Sequence, residues 1–278
     1  MYGIVAVLIT VCIANPSPPI AGPEIAIVVD DIGYDYSRGR TAIDLGKPFA
    51  YAVLPFAPYT RKLAELANQR GKDVLLHLPM EANEDNHLLG PGALWVDMSE
   101  REVDQVFSKS LAAVPHAIGV NNHMGSRLSK EPKSLRWLMR SINKRSGLFF
   151  IDSRTIQGSL ALKAALAANI PAISRDVFLD NVQSRTHIET QLSTLTKLAR
   201  KNGHALGIAH PYDVTLSTLT QWNPQKHGVK LIKLSDYMDR YTREAKARKI
   251  TRSRQTVSFE RCDQSDNSAT AEHPYTQR

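Results

Sequence analysis

Cysteine is nearly absent from this chain, with Cys12 and Cys262 the only two in 278 residues. Two cysteines exclude a disulfide scaffold and a zinc ribbon. Long apolar runs are missing too. The most apolar stretch, Ile4–Ala14 (IVAVLITVCIA), is shorter than the roughly 20 residues a helix needs to cross a hydrocarbon core. There is no Walker loop, no G-x-G-x-x-G after a strand and no G-x-S-x-G elbow, which removes support for nucleotide binding and for a serine-hydrolase mechanism. Aromatics make up 7% and do not interleave with basic stretches, so no nucleic-acid partner is expected. At 42% hydrophobic and 22% charged, the composition is that of a folded chain rather than a disordered or multi-span one.

Charge is unevenly placed. Residues 1–23 carry none, and the apolar run is followed by NPSPP at 15–19 and by Ala21-Gly22. That order resembles the apolar region and cleavage zone of an export signal, although no Lys or Arg precedes it. Residues 1–22 are therefore read as an export-signal-like leader, with a mis-assigned start or an inner-membrane anchor as competing readings. Any membrane association is expected only through this leader, and the location expected is periplasmic or secreted. Residues 243–278 carry eight basic and five acidic side chains and no sustained apolar period. They read as a solvated, basic tail, which leaves +5 of the formal +8 on residues 24–242.

Between these ends, short apolar runs alternate with helical patterns, as in βα units around a mostly parallel sheet or barrel. Strands are expected at 25–29, 49–54, 73–78, 117–120, 147–151, 170–174, 205–209 and 229–234. Helices are expected at 59–70, 99–114, 132–143, 160–168 and 186–202, with a closing turn of helix from Ser235. Ser99 three residues before Glu102 forms a capping-box pattern. This amounts to about seven βα units.

Ionisable residues collect at the strand exits. Asp30 and Asp31 follow the first strand, His77 and Glu81 flank the end of the third, and His123 follows the fourth. Asp152 follows the fifth, Asp176 the sixth and His210 the seventh. In a parallel α/β fold the carboxyl ends of the strands share one face, where ligands bind. The set reads as a divalent metal site with an acid–base pair. One carboxylate of the Asp pair can bind metal while the other accepts a proton, and imidazoles from separate strands suit Zn²⁺. Any one histidine here could be a satisfied core residue, but three at three exits beside an Asp pair are hard to obtain from packing alone. Arg154 and Arg175 beside Asp152 and Asp176 favour ion-pair or supporting roles for those two aspartates. The other six histidines are read as surface residues.

Six ordered segments, IVVDDIG at 27–33, HLPME at 77–81, NHMGS at 122–126, FIDSRT at 150–155, RDVFLD at 175–180 and GIAHP at 207–211, resemble the divergent polysaccharide deacetylases. These form a YibQ-like branch of the carbohydrate esterase superfamily, and the resemblance spans about residues 24–242. It implies an irregular (β/α) barrel with a metal-dependent deacetylase-type site at the C-terminal face of its strands. It further implies Asp30 as general base, Asp31 and His77 as metal ligands, and His210 as the acid that protonates the leaving amine or alcohol. The superfamily's second metal histidine is replaced by Glu81, and NHMGS supplies His123. The metal set implied is thus Asp31, His77 and His123, with Glu81 as the alternative oxygen ligand. Asn122, Asp152, Arg154, Arg175 and Asp176 would orient the site or meet substrate. The activity implied is removal of an N- or O-acyl group from a cell-envelope carbohydrate polymer or oligosaccharide, with zinc the favoured metal. The second reading is an inactive glycan-binding or envelope-assembly protein that retains the barrel.

Overall fold

A computed structural model describes residues 22–241, so both cysteines, the leader-like segment up to residue 21 and the basic tail lie outside the described residues. The elements run β1 (Glu24–Ile32), α1 (Tyr36–Ile43), β2 (Ala50–Val53), α2 (Thr60–Gln69), β3 (Val74–Met80), α3 (Glu100–Ala113), β4 (Ala117–Met124) and α4 (Pro132–Asn143). They continue with β5 (Phe149–Asp152), α5 (Ala161–Ala167), β6 (Ala172–Ser174), β7 (Val177–Phe178), α6 (Arg185–Asn202), β8 (His204–Ala209), α7 (Asp213–Gln221) and β9 (Lys230–Leu231). A last helical segment occupies 234–241. No helix among the described residues is long and apolar enough to cross a membrane.

Every strand pairing is parallel, in the order β6-β5-β4-β3-β2-β1-β8-β7, with β9 against the start of β1. The two ends of this order, β6 and β7, are joined by Arg175-Asp176 alone. Three Cα steps reach at most about 11 Å, so the sheet has to curl until its edges face each other. The result is a curled, incompletely closed α/β barrel. Counting the broken pair β6/β7 as one strand gives seven βα units from β1 to α7, as the sequence pattern predicts, followed by β9 and the last helical segment.

Strand alternation sorts the core into two layers. Ile25, Ile27, Val29, Tyr51, Val53, Leu76 and Phe150 point outward into the layer under the helices. Ala26, Val28, Ala50, Ala52, Leu75, Ile151, Leu206 and Ile208 point inward and fill the barrel with Phe149 and Ile173. The bottom is closed by Ile232, Leu234, Tyr237 and Met238. His204, read as a surface residue from its place at a helix end, instead packs there, 2.8 Å from the Tyr237 hydroxyl. The capping box forms as expected, with the Glu102 carboxylate accepting the Ser99 N–H at 2.7 Å.

Three elements lack a strong periodic signal. Helix α1 contains Gly39 and buries only that residue, Ala42 and Ile43. Helix α7 buries Thr215 and Thr218 beside Leu216 and Leu219, and β-branched residues are weak helix formers. Strand β7 is two residues long. Each is held by tertiary packing rather than by propensity.

Candidate functional site

The inward rows that fill the barrel continue upward into its polar end. Two residues beyond Val28 lies Asp30, two beyond Leu75 lies His77, two beyond Ile151 lies Ser153, two beyond Ile173 lies Arg175, and two beyond Ile208 lies His210. Asp31 breaks the alternation. The β1–β2 register shifts between Val29 and Ile32, and Asp31 takes a left-handed backbone, φ 58°. A bulge of this kind re-aims a side chain, so two consecutive carboxylates reach one cavity. Gly33 completes the turn at φ 144°, where an added Cβ would sit 2.9 Å from the Ala57 Cβ.

At the centre, Asp31 Oδ1 lies 3.1 Å from His77 Nε2 and 3.0 Å from His123 Nδ1. These three residues each offer one ligand atom, all within 4.8 Å of one another. Asp31 Oδ1 is nevertheless buried without a properly directed hydrogen bond. The tautomers explain this. His77 Nδ1 lies 2.9 Å from Asn121 Oδ1, and since that oxygen only accepts, the proton sits on Nδ1 and the Nε2 lone pair faces Asp31. His123 Nε2 lies 3.5 Å from the Leu88 carbonyl, which likewise turns the Nδ1 lone pair inward. Two lone pairs and a carboxylate oxygen converging on one point call for a cation. The two oxygen–nitrogen spacings, 3.0 and 3.1 Å, are close to the edge, roughly 3.3 Å, of a tetrahedron with bonds of about 2 Å. The residues fit a divalent metal.

Asn121 also donates through Nδ2 to Asp30 Oδ1 at 2.8 Å, tying the second carboxylate to the imidazole that faces the first. Asp30 is buried, 3.7 Å from His77 Nε2. Burial, working against His77 and His210, raises its pKa above the ordinary carboxylate value. Burial also opposes ionisation of Asp31, but His123 and His77, when they are protonated and donate to it, outweigh burial and hold that carboxyl well below the usual range. For His77, burial is outweighed by Asp30 and Asp31 and the pKa rises, so a proton and a metal ion compete for the Nε2 lone pair.

His210 stands on the other side, its Nε2 3.7 Å from Asp31 Oδ2. Asp180 holds it from behind, accepting the His210 backbone N–H at 2.7 Å, contacting Nδ1 at 2.9 Å and accepting the Thr215 hydroxyl at 2.9 Å. Burial lowers the His210 pKa, but Asp180, with Asp31 and Asp30, outweighs it and raises it to about 9. Phe178 meets the ring edge-on at 5.2 Å and Tyr212 stacks on it at 5.6 Å. The cavity between these groups measures about 310 Å³, within the range of small-molecule pockets. Larger hollows of about 590 and 510 Å³ lie in the helical layer, between α4 and α5 and between α6 and α7. Neither contains the Asp–His cluster.

Residues 27–238 match the family model described as divergent polysaccharide deacetylase. The chain belongs to that family. Among the family's relatives, it is 35% identical over 209 residues to the uncharacterized protein YibQ of Escherichia coli (strain K12), covering 75% of this chain and 65% of YibQ. It therefore spans slightly less than two thirds of the length of YibQ. An uncharacterized protein of Haemophilus influenzae is 33% identical over 199 residues, 72% of this chain and 70% of its own length. The crystal structure of the uncharacterized protein ATU2773 from Agrobacterium tumefaciens C58 superposes with a TM-score of 0.74 at 27% identity, covering 80% of this chain and 92% of that one. A mutant of the peptidoglycan deacetylase PdaC from Bacillus subtilis shares the fold, with a TM-score of 0.52 at 11% identity over 85% of this chain and 99% of that one.

In this divergent deacetylase barrel, Asp30, Asp31, His77, His123 and His210 come together as their strand exits suggest, and Asn122, Arg154 and Arg175 also line the cavity. Asn122 ties two loops, accepting from the Ser153 N–H and donating to the Met124 carbonyl. Glu81 stands apart. Its oxygens are taken by Arg127 at 2.6 Å and by the Val96 N–H at 2.7 Å, because the chain turns after Met80. Asp152, one residue out of step with Ser153, points outward and accepts from Ser159 and from the Leu162 N–H. Asp176 precedes β7 rather than ending a strand at the cavity, and accepts the Leu206 N–H at 2.8 Å. Asn121 and Asp180 are the contributors that strand-exit reasoning misses. Asn121 has a direct test. Asn121→Leu removes both of its bonds, and because partners of metal-binding imidazoles are worth about 10–100-fold in affinity, competition against a chromophoric chelator should show a loss of that size. Unchanged affinity would show that the His77 tautomer is set elsewhere.

Proposed function

We propose that this protein is a metal-dependent hydrolase that removes an N- or O-acyl group from a cell-envelope carbohydrate. The observation that supports it most is the convergence of the unsatisfied Asp31 Oδ1 with two imidazole lone pairs, flanked by a buried carboxylate and by a histidine backed by Asp180. Membership of a polysaccharide deacetylase family supports the substrate class. The leader-like composition of residues 1–22 supports an envelope location.

Asp31, His77 and His123 would hold the ion, and an Asp-His-His set with open positions suits zinc. When bound, the ion supplies a Lewis acid that polarises the acyl carbonyl and lowers the pKa of water. Asp30 accepts the proton of the attacking water, its Oδ1 fixed by Asn121. His210 donates through Nε2 to the departing nitrogen or oxygen, its ring oriented by Asp180. Asn122 and Ser153 keep the loop backbone around the acyl group in place.

The test is acetate release from acetylated glycans by zinc-loaded protein. Asp30→Asn should lower kcat by about 10²–10⁴-fold, the usual contribution of a positioned acid or base. No release from acetylated glycans of the envelope, with Asp30→Asn indistinguishable from the parent in any assay, would overturn the reading.

A further inference from the structure

One wall of the cavity carries a charge arrangement that the hydrolytic chemistry does not use. Arg154 takes a left-handed backbone, φ 49°, and its peptide is clamped at both ends. Its N–H is donated to Asp152 Oδ1 at 2.9 Å, and its carbonyl accepts from an Arg175 guanidinium nitrogen at 3.0 Å. Arg175 Nε donates in turn to the Ser153 carbonyl at 2.7 Å, and Thr155 continues the clamp onto the Met124 carbonyl at 2.9 Å. A non-glycine residue is held in this conformation only where its surroundings fix it.

The clamp puts Arg154 and Arg175 together in the lining of the same cavity, close enough for the Arg154 charge to act on the Arg175 guanidinium. Among the described residues, neither has a carboxylate within 4.0 Å. The Asp30 and Asp31 charges are instead approached by His77, His123 and His210. Arg175 lies over the Phe178 ring at 4.9 Å. Burial, then the Arg154 charge, lower its pKa, against the longer-range pull of Asp30, Asp152 and Asp176. Two like charges held together in a concave, partly desolvated wall create a positive potential that a ligand anion can relieve. A guanidinium fork matches a carboxylate in a way a single ammonium does not. Arg154 is exposed while Asp30 and His77 are buried. The anion it meets therefore lies at the mouth, beside the reacting acyl bond rather than at it.

We propose that Arg154, with Arg175 behind it, binds the carboxylate of an acidic sugar at the cavity mouth, so that the substrate is an acylated glycan bearing uronic-acid-type residues. This rests on reading the cavity as a glycan site, and equilibrium binding separates the two because it needs no turnover. Titration calorimetry on the full chain would compare an oligogalacturonate with its carboxyl-reduced, neutral counterpart. The acidic oligomer should bind about tenfold or more tightly, a preference that falls with added salt and shrinks to about threefold or less in Arg154→Gln. If Arg154→Gln lowers the unfolding temperature, Arg154→Lys is decisive, since it keeps the charge and should retain part of the preference. Equal binding of both oligomers, or a preference intact in both variants, overturns the acidic-sugar proposal alone. No binding of either oligomer overturns the glycan reading as well.

Discussion

Asp31→Ala should abolish stoichiometric metal binding, weakening affinity by well over the roughly 100-fold that loss of an outer hydrogen-bond partner can cost. Asp31 is the single anion among the three candidate ligands. Its Oδ1 is the point that both imidazole nitrogens approach, at 3.0 and 3.1 Å. Without it, two neutral imidazoles remain, and neither the charge nor the third ligand of a catalytic zinc site is present. Asp31→Asn isolates the charge, because its shape is nearly unchanged and its left-handed backbone is equally tolerated by asparagine. Both variants should leave unfolding largely two-state, since Asp31 caps a bulge rather than filling the core. Chelator competition on the purified variants reads the effect, and a variant that still binds one equivalent tightly would show that the ion sits elsewhere.

Asp180→Asn should lower kcat by about 10²–10⁴-fold, the range seen when a catalytic histidine loses the carboxylate that sets its tautomer. The buried Asp180 accepts from the His210 backbone, the His210 ring and Thr215. All three partners are donors, so an amide NH₂ in place of one oxygen opposes a donor with a donor. If the ring flips its tautomer it loses the carboxylate that stabilises its protonated form, and if the amide turns away it loses its anchor; in both cases the imidazolium that donates through Nε2 is disfavoured. Asp180→Ala adds a stability cost of about 1–3 kcal/mol for each buried group left unsatisfied. The two variants therefore separate positioning from folding. Steady-state kinetics with a thermal melt would check this, and full activity in a folded Asp180→Asn protein would remove His210 from its proposed role.

The barrel and the candidate site were legible in the sequence to different depths. Continuous β-branched runs such as 25–29 and the Ser99 capping box marked strands and helices directly, because burial on both faces and local hydrogen bonding leave local signals. The collection of Asp30, Asp31, His77, His123 and His210 on one face followed from parallel topology alone. Asn121 was within reach, since it lies two residues before His123 and alternation puts both on the inner face. Asp180 was not, because β7 is two residues long and begins only after the jump at Arg175-Asp176, which no periodicity announces. Glu81 shows the opposite error. Its spacing from His77 suits a ligand pair, but that spacing holds only while the chain stays extended, and it turns at Met80 to form the bond with Arg127. Asp152 and Asp176 fall at strand boundaries and serve the backbone, Asp152 around α5 and Asp176 beside β8. Side-chain parity, more than strand-end position, separates them from the cavity residues.

The most direct test of the central claim is anomalous scattering at the zinc edge from crystals of the protein loaded with zinc. The account predicts one strong peak about 2.0–2.2 Å from Asp31 Oδ1, His77 Nε2 and His123 Nδ1, with Asp30 and His210 facing it. A peak coordinated by Glu81, or no peak in fully loaded crystals, would contradict it.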